Sequence, residues 1–358
     1  MSADLENAKQ ALDLIIKKSR VHLYKPIQIA EILYHTRTKP ELGIDLSDLE
    51  SYRIDSKKWR DVICHQFLGR VSTSSAKFQD NLFDENAMPP TLLSILGTEN
   101  NKHNGCIEAY IYQAFENKHL QLDHALNYCL NGNKGSFILT EFLDQFWQQA
   151  GLKRSLDKIF EIVVYSLFEV LTTAINIKID IYYDEDKTDI LHEFSSFSDK
   201  VLNLTVAEHR KTLTAHFYRV GVTNAADRGL DMYANFGSVV QVKHLSLDEE
   251  LAENIVTSIN AHKIIIVCKS AEKPMINSLL HQIGWQSRIQ SIITIDDLDE
   301  WYDKVLRGKY SSLLGDKVIE LLANEIMHEF PSVGNQNFQL FKAERGYTKL
   351  KNQYWQYS

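Results

Sequence analysis

The chain has 358 residues, of which 44% are apolar and 24% are charged, and its formal net charge is −8. This length accommodates one large or two ordinary hydrophobic cores, and the composition excludes long disordered or low-complexity stretches. The acidic balance argues against a protein that coats nucleic acid through bulk charge, so that any contact with DNA has to be local.

The first 150 residues show the helical spacing of apolar side chains. The spacing predicts one helix from residue 4, a second one opened by Pro26, and further helices over 57–68, 91–96, 107–115, 120–130 and 140–150. The segment that starts at Lys25 has two interpretations, the opening of a helix-turn-helix or an amphipathic packing helix, and we favour the second.

After Gly151 the pattern becomes that of a mixed α/β unit. A helix over 155–174 and a strand over 178–183 are followed by two strands, 228–236 and 239–245, on either side of the turn Asn235-Phe236-Gly237-Ser238. Predicted beyond this hairpin are a helix over 248–260, a strand over 263–268, a helix over 274–282, a strand over 289–295 and helices over 296–306 and 312–330. We therefore expect an α/β fold with three parts: a mostly helical N-terminal domain (1–150), a mixed-sheet core (151–330) and a C-terminal tail (331–358).

Cysteine spacing and the N-terminus predict a reduced, cytoplasmic protein. The cysteines form no C-x-x-C pair that would bind zinc or cycle as a redox couple: Cys64, Cys106, Cys129 and Cys268. The N-terminus is polar and acidic, unlike a signal peptide, and no apolar run reaches the roughly 20 residues of a membrane span. We expect no membrane partner.

The predicted hairpin carries residues with the chemistry of a metal-dependent hydrolase. Strand alternation places Gln241 and Lys243 on one face, with Val240 and Val242 in the core, and Asp231 can face them across the hairpin. A carboxylate and a second oxygen ligand beside a cation form a compact divalent-metal site with a water-orienting group. This set suits phosphodiester hydrolysis, and the alternative is an exposed polar hairpin face.

The pattern Asp-x(9)-Gln-x-Lys on a hairpin resembles the PD-(D/E)-x-K nuclease core. Four segments resemble the HaeII-type restriction endonucleases: SRVHLYKPIQIAEIL (19–33), GRVSTSS (69–75), GLKRSLDKIFE (151–161) and RVGVTNAADRGLDM (219–232). The resemblance spans nearly the whole chain and implies a restriction-endonuclease-like core. It also implies Mg²⁺-dependent cleavage of both strands of double-stranded DNA at a short palindrome with a GC-rich centre, leaving 5′-phosphates. The implied setting is a bacterial cytoplasm with a cognate DNA methyltransferase, and cutting at a palindrome favours a homodimer.

Carried onto this sequence, the resemblance assigns Mg²⁺ binding to Asp231 and Gln241, with the Val242 carbonyl completing the site. Lys243 then orients or activates the attacking water. The sequence departs from the family pattern at Gln241, where a neutral amide replaces the usual acid. We therefore expect weaker metal affinity unless another carboxylate compensates.

Two acids are candidates for that compensating carboxylate. Glu161, on the predicted helix before the sheet, is the first, and Asp227 is the second. The alternative for Glu161 is a solvated helix residue that pairs with Lys158. The alternative for Asp227 is a residue at the hairpin edge, next to Arg228.

The region with the greatest positive charge lies between Lys17 and Lys77, with 12 Lys/Arg against 7 Asp/Glu. Single cations there are also explained as solvated helix faces. One loop in it combines hydroxyls with flanking cations, which suits contacts to phosphates and base edges. The predicted DNA-binding residues are Arg70, Ser72, Thr73, Ser74, Ser75, Lys77 and, beside the hairpin, Arg228.

Three other functions stay open at this point. A structure-selective or repair nuclease of the same fold would cut without a fixed sequence. A DNA-binding protein that has lost catalysis would explain the amide at Gln241. An α/β interaction protein without a DNA role fits the net charge but leaves the polar face of the hairpin unexplained.

Overall fold

The computed structural model describes residues 2–149, 152–220, 230–271, 288–330, 335–350 and 354–356. The packing divides the chain into two units. Unit 1 contains Met1–Phe160 and Ile319–Ser358, and unit 2 contains Glu161–Val220 and Asp227–Val318. This division into units does not test the domain boundaries proposed from the sequence, at residues 150 and 330, which stay a prediction.

Unit 1 is helical. Its helices are α1 (Ala3–Lys18), α2 (Tyr24–Thr38), α3 (Arg53–Leu68), α4 (Ala76–Asp80), α5 (Pro90–Lys102), α6 (Cys106–Leu130) and α7 (Leu139–Gln148). The first of them follows the usual rules for helix ends, because the Ser2 hydroxyl accepts from the Leu5 N–H, acids occupy the first turn and lysines the last. The two helices predicted over 107–115 and 120–130 are one continuous helix, so the break predicted between them is wrong.

Helix α2 is a core helix of unit 1. Nine of its fifteen residues are buried, including the apolar Ile27, Ile29 and Ile32 and the polar Gln28 and Glu31. Burial on most of its surface supports the packing interpretation of this segment. The helix-turn-helix interpretation stays a prediction, because the second helix of that motif is the one that enters the DNA groove.

Residues beyond 330 complete the same core. Phe338, Phe341, Tyr347 and Trp355 are buried together with side chains of α1, α2, α5 and α6. Phe338 and Phe341 belong to a further helix, Asn335–Glu344. In unit 1 the described part of the predicted tail is thus packed against the N-terminal helices.

Unit 2 contains most of α8 (Leu156–Ile175), two sheets and the following helices. The strands are β1 (Lys178–Tyr182), β2 (Arg210–Thr214), β3 (Phe217–Arg219), β4 (Met232–Ala234), β5 (Ser238–Ser246), β6 (Lys263–Ser270) and β7 (Ile289–Ile293). The helices are α9 (Thr188–Glu193), α10 (Ser195–Phe197), α11 (Glu249–Ser258) and α12 (Ile295–Arg307); α13 (Ser311–Glu329) has residues in both units, and Asn335–Glu344 of unit 1 is α14.

The main sheet has the strand order β3-β4-β5-β6-β7. The first three strands are antiparallel and the last three are parallel. Helix α11 joins β5 to β6, and its Ile255 and Val256 pack with Ile264 and Ile266. Helix α8 precedes this mixed sheet in the chain, and α11 connects two of its strands. Together with the helical N-terminal region, this arrangement confirms the predicted α/β class.

Several smaller predictions have definite outcomes. The four cysteines are buried and unpaired, and burial raises the pKa of each, to about 11 for Cys268. Strands β2 and β3 were not predicted from the sequence. The predicted helix over 274–282 lies outside the described residues. Within the described residues, no helix combines the length and the hydropathy needed to cross a bilayer.

Candidate active site

The predicted hairpin is present in unit 2, formed by β4 and β5. Gly237 has φ 103°, a backbone conformation that favours glycine, and its N–H donates to the Ala234 carbonyl to close the turn. Met232 pairs with Val240, so the next step of the register sets Asp231 opposite Gln241. Turn length and strand pairing together therefore bring two of the predicted site residues face to face.

The carboxylate of Asp231 is held against β5 by two hydrogen bonds. Its Oδ2 accepts from Gln241 Nε2 at 2.6 Å and from the Val242 N–H at 2.8 Å. One donor is a side chain and the other is backbone, so the orientation of the carboxylate is fixed by the strand itself. A carboxylate held in this way is preorganised for a ligand.

The other end of the Gln241 amide has no partner among the described residues. Gln241 is 1% exposed, and its Oε1 accepts no hydrogen bond from them. Burial of an unsatisfied amide oxygen costs about 1–3 kcal/mol, a cost that a bound cation would remove. An orphaned oxygen beside a carboxylate is a set of hard oxygen donors, the kind that Mg²⁺ prefers. The residues present therefore fit a divalent cation.

Lys243 follows on the same strand. Val240 and Val242 are buried, as predicted, and alternation places Lys243 on the face of Gln241. The Lys243 side chain is half-buried and makes no hydrogen bond or ion pair with another described residue. An amine without a counter-ion next to oxygen ligands is available to an anionic substrate.

Glu161 is a buried residue, not a solvated one. It lies on α8, is 2% exposed, and its Oε1 accepts from Arg219 Nε at 3.1 Å. The alternative of a solvated helix residue is therefore wrong. Arg219 pairs in β3 with Met232, the neighbour of Asp231. No group of three His, Cys, Asp or Glu side chains able to hold a metal occurs in the described part of the chain.

Glu169, which was not predicted from the sequence, links α8 to β3. One oxygen accepts from the Phe217 N–H at 2.8 Å, and the other lies 2.7 Å from His216 Nδ1. Two glutamates on one side of an otherwise apolar helix were the signal in the sequence. Together, Glu161 and Glu169 fix β3, and β3 fixes the hairpin through β4.

The loop from Arg70 to Lys77 lies in unit 1. Arg70 donates to the His328 carbonyl, the Ser75 hydroxyl accepts from the Phe78 N–H at 3.3 Å, and the Ser74 carbonyl accepts from Gln79. In this loop Thr73, Ser75 and Lys77 are exposed, whereas Ser72 and Ser74 are half-buried. Their DNA contacts stay a prediction. Asp227 and Arg228 lie outside the described residues.

Many cations of the basic segment are neutralised within unit 1. Arg60 is buried and pairs with Asp61, while its Nη1 donates to Gln28 at 3.0 Å. Four other pairs are Arg37–Glu108, Arg53–Glu50, Lys57–Asp80 and Lys58–Asp55. Of these cations, only Arg37 and Lys57 pair with acids outside the segment, so most of its surplus positive charge remains.

Comparison with known proteins identifies relatives along nearly the whole chain. The family model described as HaeII restriction endonuclease matches residues 8–347. The chain is 55% identical over 348 residues to the type II restriction enzyme NgoBI of Neisseria gonorrhoeae, which covers 97% of this chain and 98% of that protein. It is also 55% identical over 346 residues to the type II restriction enzyme HaeII of Haemophilus aegyptius, with the same two coverages. No solved structure matches the chain.

Proposed function

The chain belongs to the HaeII restriction endonuclease family, and we propose that Asp231, Gln241 and Lys243 form its catalytic centre. It is a type II restriction endonuclease, a site-specific deoxyribonuclease with a restriction-endonuclease-like α/β fold. The observation that carries the proposed centre is the buried Oε1 of Gln241, which has no partner in the described part of the chain, beside the anchored carboxylate of Asp231.

The proposed metal is Mg²⁺. Asp231 and Gln241 would hold it, the Val242 carbonyl would complete the site, and Glu161 is the further acidic candidate. When bound, the ion neutralises charge on the scissile phosphate and lowers the pKa of a water molecule. The amide of Gln241 contributes an oxygen without a charge, which predicts weak metal affinity in the absence of DNA.

The chain's own residues supply orientation and charge. The Val242 N–H and the Gln241 amide hold the Asp231 carboxylate in place before any ligand arrives. Lys243 brings a positive charge to the attacking water and to the charge that develops on the phosphate. Val240 and Val242, both buried, close the opposite face of the strand to solvent.

The proposed substrate is a short palindrome in double-stranded DNA, with a GC-rich centre and 5′-phosphate products. A palindrome offers two equivalent scissile bonds, so that two active sites related by a two-fold axis suit it, and a homodimer is proposed. The enzyme would act in a bacterial cytoplasm beside a cognate DNA methyltransferase that protects the host's own sites. The loop from Arg70 to Lys77 is proposed to contact the DNA, and Arg228 is a further candidate.

The test of this proposal is incubation of the purified protein with unmethylated plasmids of known sequence, in Mg²⁺ or in EDTA. We expect discrete fragments that require the metal and are lost in Asp231→Asn and Lys243→Ala. A ladder of fragments would instead indicate a structure-selective nuclease. DNA binding without cutting in Mg²⁺ or Mn²⁺ would indicate a protein that has lost catalysis, and Gln241 would be the residue to revert.

A further inference from the structure

A segment of unit 2 that we call the arm, residues 175–214, has regular secondary structure yet is hardly buried. It contains β1, β2, α9, α10 and the helical turn Ser198–Leu202, and it joins the end of α8 to the start of β3. Of its forty residues only Leu191, Ser198 and Leu204 are buried. Because burial of apolar surface is what stabilises most structure, regular structure with so little of it indicates a missing packing partner.

The arm exposes many large apolar side chains. These are Ile175, Ile177, Ile181, Tyr182, Ile190, Phe194, Phe197, Val201, Leu202 and Val206. At exposures between 37% and 68%, they present together on the order of 1000 Å² of accessible surface, where a stable protein interface needs about 800 Å² from each partner. A groove in the same segment, lined by Leu191, Asp199 and Val206 among others, adds about 380 Å³ of concave space.

The strands of the arm also lack neighbours. Within the described residues, β1 and β2 pair only with each other, which leaves the outer edge of each strand unpaired. A two-stranded sheet is marginally stable alone, and an open edge accepts a further strand. Ile179, Ile181 and Leu213 share one face of this sheet by alternation.

The charge of the arm excludes DNA as its partner. The segment has 8 Asp/Glu and 5 Lys/Arg, a net charge of 5 − 8 = −3. Such a surface repels phosphates, so it is a poor site for a nucleic acid or an anionic membrane. Apolar side chains with few cations are instead the composition of the buried part of a protein–protein interface.

We propose that the arm is the dimerisation surface of this enzyme, and that its partner is the arm of a second copy of the chain. The inference rests on the proposed function, because cutting both strands of a palindrome calls for two identical active sites. A two-fold contact between identical surfaces is self-complementary and closed, so it also covers the exposed strand edges. The arm connects α8 and β3, which carry Glu161 and Arg219, and thus couples the partner directly to the nuclease sheet.

The experiment measures mass in solution, without DNA and without metal. Sedimentation velocity compares the wild type with the double variant Phe194→Glu, Phe197→Glu. Both side chains are more than half exposed, so the substitutions leave the protomer's own packing unchanged. We expect a dimer for the wild type and a monomer for the variant, with a dissociation constant raised at least about 100-fold, since each change counts twice across a two-fold axis.

The matched control is Ile54→Glu, Val62→Glu on α3, which replaces two equally exposed apolar side chains outside the arm and should leave the dimer intact. As a measurement that needs no variant, hydrogen exchange of residues 175–214 should slow as the wild-type concentration rises from about 0.1 to about 20 µM.

A wild-type monomer at the higher concentration, or a dimer that survives in the arm variant, would overturn the proposal. Either result leaves the proposed catalytic centre untouched, because Mg²⁺-dependent cutting and its loss in Lys243→Ala are measured separately.

Discussion

Two buried polar clusters, one in each unit, differ in how completely they are hydrogen-bonded. In unit 1, Glu108 accepts from Arg37 Nε at 2.9 Å, from Arg37 Nη2 at 2.8 Å, from Asn100 at 2.7 Å and from Tyr347 at 2.7 Å. In unit 2, the Gln241 amide donates to Asp231, but no described residue donates to its oxygen. A saturated cluster stabilises a fold, whereas an unsatisfied oxygen beside a carboxylate can accept a cation.

A second cluster in unit 1 follows the same rule. Arg345 forms two bonds with Glu31, at 2.6 and 3.0 Å, and its guanidinium stacks 3.7 Å from the Tyr34 ring centroid. Tyr112 donates to the same Glu31. Every charge here is compensated, so we assign this cluster a structural role. In the hairpin, by contrast, the charge of Lys243 is not compensated by any described residue. Substitutions in the two regions should therefore separate stability from activity.

The largest effect is expected from Lys243→Ala. Loss of the cation should lower the cleavage rate at least about 1000-fold, or about 4 kcal/mol of transition-state stabilisation. The free energy of unfolding should stay within about 0.5 kcal/mol of wild type, because the side chain has no hydrogen bond or ion pair with a described residue to lose. Single-turnover cleavage measures the rate, and urea unfolding measures the free energy of unfolding. Lys263→Ala, an exposed lysine on β6, is the control and should cut normally; a Lys243 variant within tenfold of wild type would contradict the assigned role.

The next largest effect is expected in unit 1, where a substitution should lower stability and leave activity unchanged. Glu108→Gln should lower the free energy of unfolding by about 3 kcal/mol, because it removes the buried charge that pairs with the half-buried Arg37 and accepts from Asn100 and Tyr347. Cleavage per folded molecule should not change. Urea unfolding measures the loss. The matched control is Glu50→Gln, which breaks an exposed pair with Arg53 and should cost less than about 0.5 kcal/mol. Equal losses from the two variants would show that the saturated cluster does not stabilise unit 1.

Two buried histidines of unit 1 make its free energy of unfolding depend on pH. Burial lowers the pKa of His22 to about 4 and that of His119 to about 3, and neither His119 nitrogen has a hydrogen-bond partner among the residues that the structure describes. In the unfolded chain the pKa is about 6.5, so folding keeps both rings neutral. Their stability contribution is complete above pH 6.5 and is lost as the pH falls toward 4, by about 2 kcal/mol for each ring between pH 7.5 and 5.

Urea unfolding at those two pH values measures this slope. His119→Leu should remove about 2 kcal/mol of the difference, whereas His65→Leu, at an exposed position on α3, should leave it as in wild type. A His119→Leu protein with the wild-type pH dependence would exclude this residue as its source.

The smallest effect is expected from Gln241→Glu. A carboxylate in place of the amide would face Asp231 without an N–H to donate, so the metal-free protein should lose about 1–2 kcal/mol of stability. The added charge should lower the Mg²⁺ concentration for half-maximal cutting about tenfold. Thermal unfolding with and without Mg²⁺ and a metal titration of cleavage measure both effects. Gln241→Leu is the reference that lacks the oxygen altogether, and an unchanged metal midpoint in both variants would rule out Gln241 as a ligand.

The hairpin was predictable because local rules determine it. Alternation fixed the faces of Val240, Gln241 and Val242, and the glycine at 237 fixed the turn and with it the position of Asp231. The helical N-terminal region and the mixed sheet also followed from periodicity. These features depend on residues near one another in sequence.

Features that depend on distant residues were missed. The environment of Glu161 comes from Arg219, 58 residues away, and no local pattern reveals it. The break predicted near Lys118 is absent because that lysine is buried and donates to the carbonyls of Ile16 and Ser19 at the end of α1. Strand β2 was not predicted because neither face of the arm's sheet is fully covered. Its sequence therefore lacks the apolar–polar alternation of a half-buried strand.

The core of unit 1 joins segments that a ribosome makes far apart in time. Phe338, Phe341 and Tyr347 pack with α2 and α6, yet the whole of unit 2 is translated between them. At about 5–20 residues per second, unit 2 alone, with roughly 160 residues, takes about 8–30 s. During that interval the N-terminal helices lack part of their apolar covering and the partner of Glu31. A nascent chain therefore cannot complete its N-terminal half until the nuclease sheet has been made, and a DNA-cutting enzyme assembled in this order is delayed in reaching its full structure inside the cell that makes it.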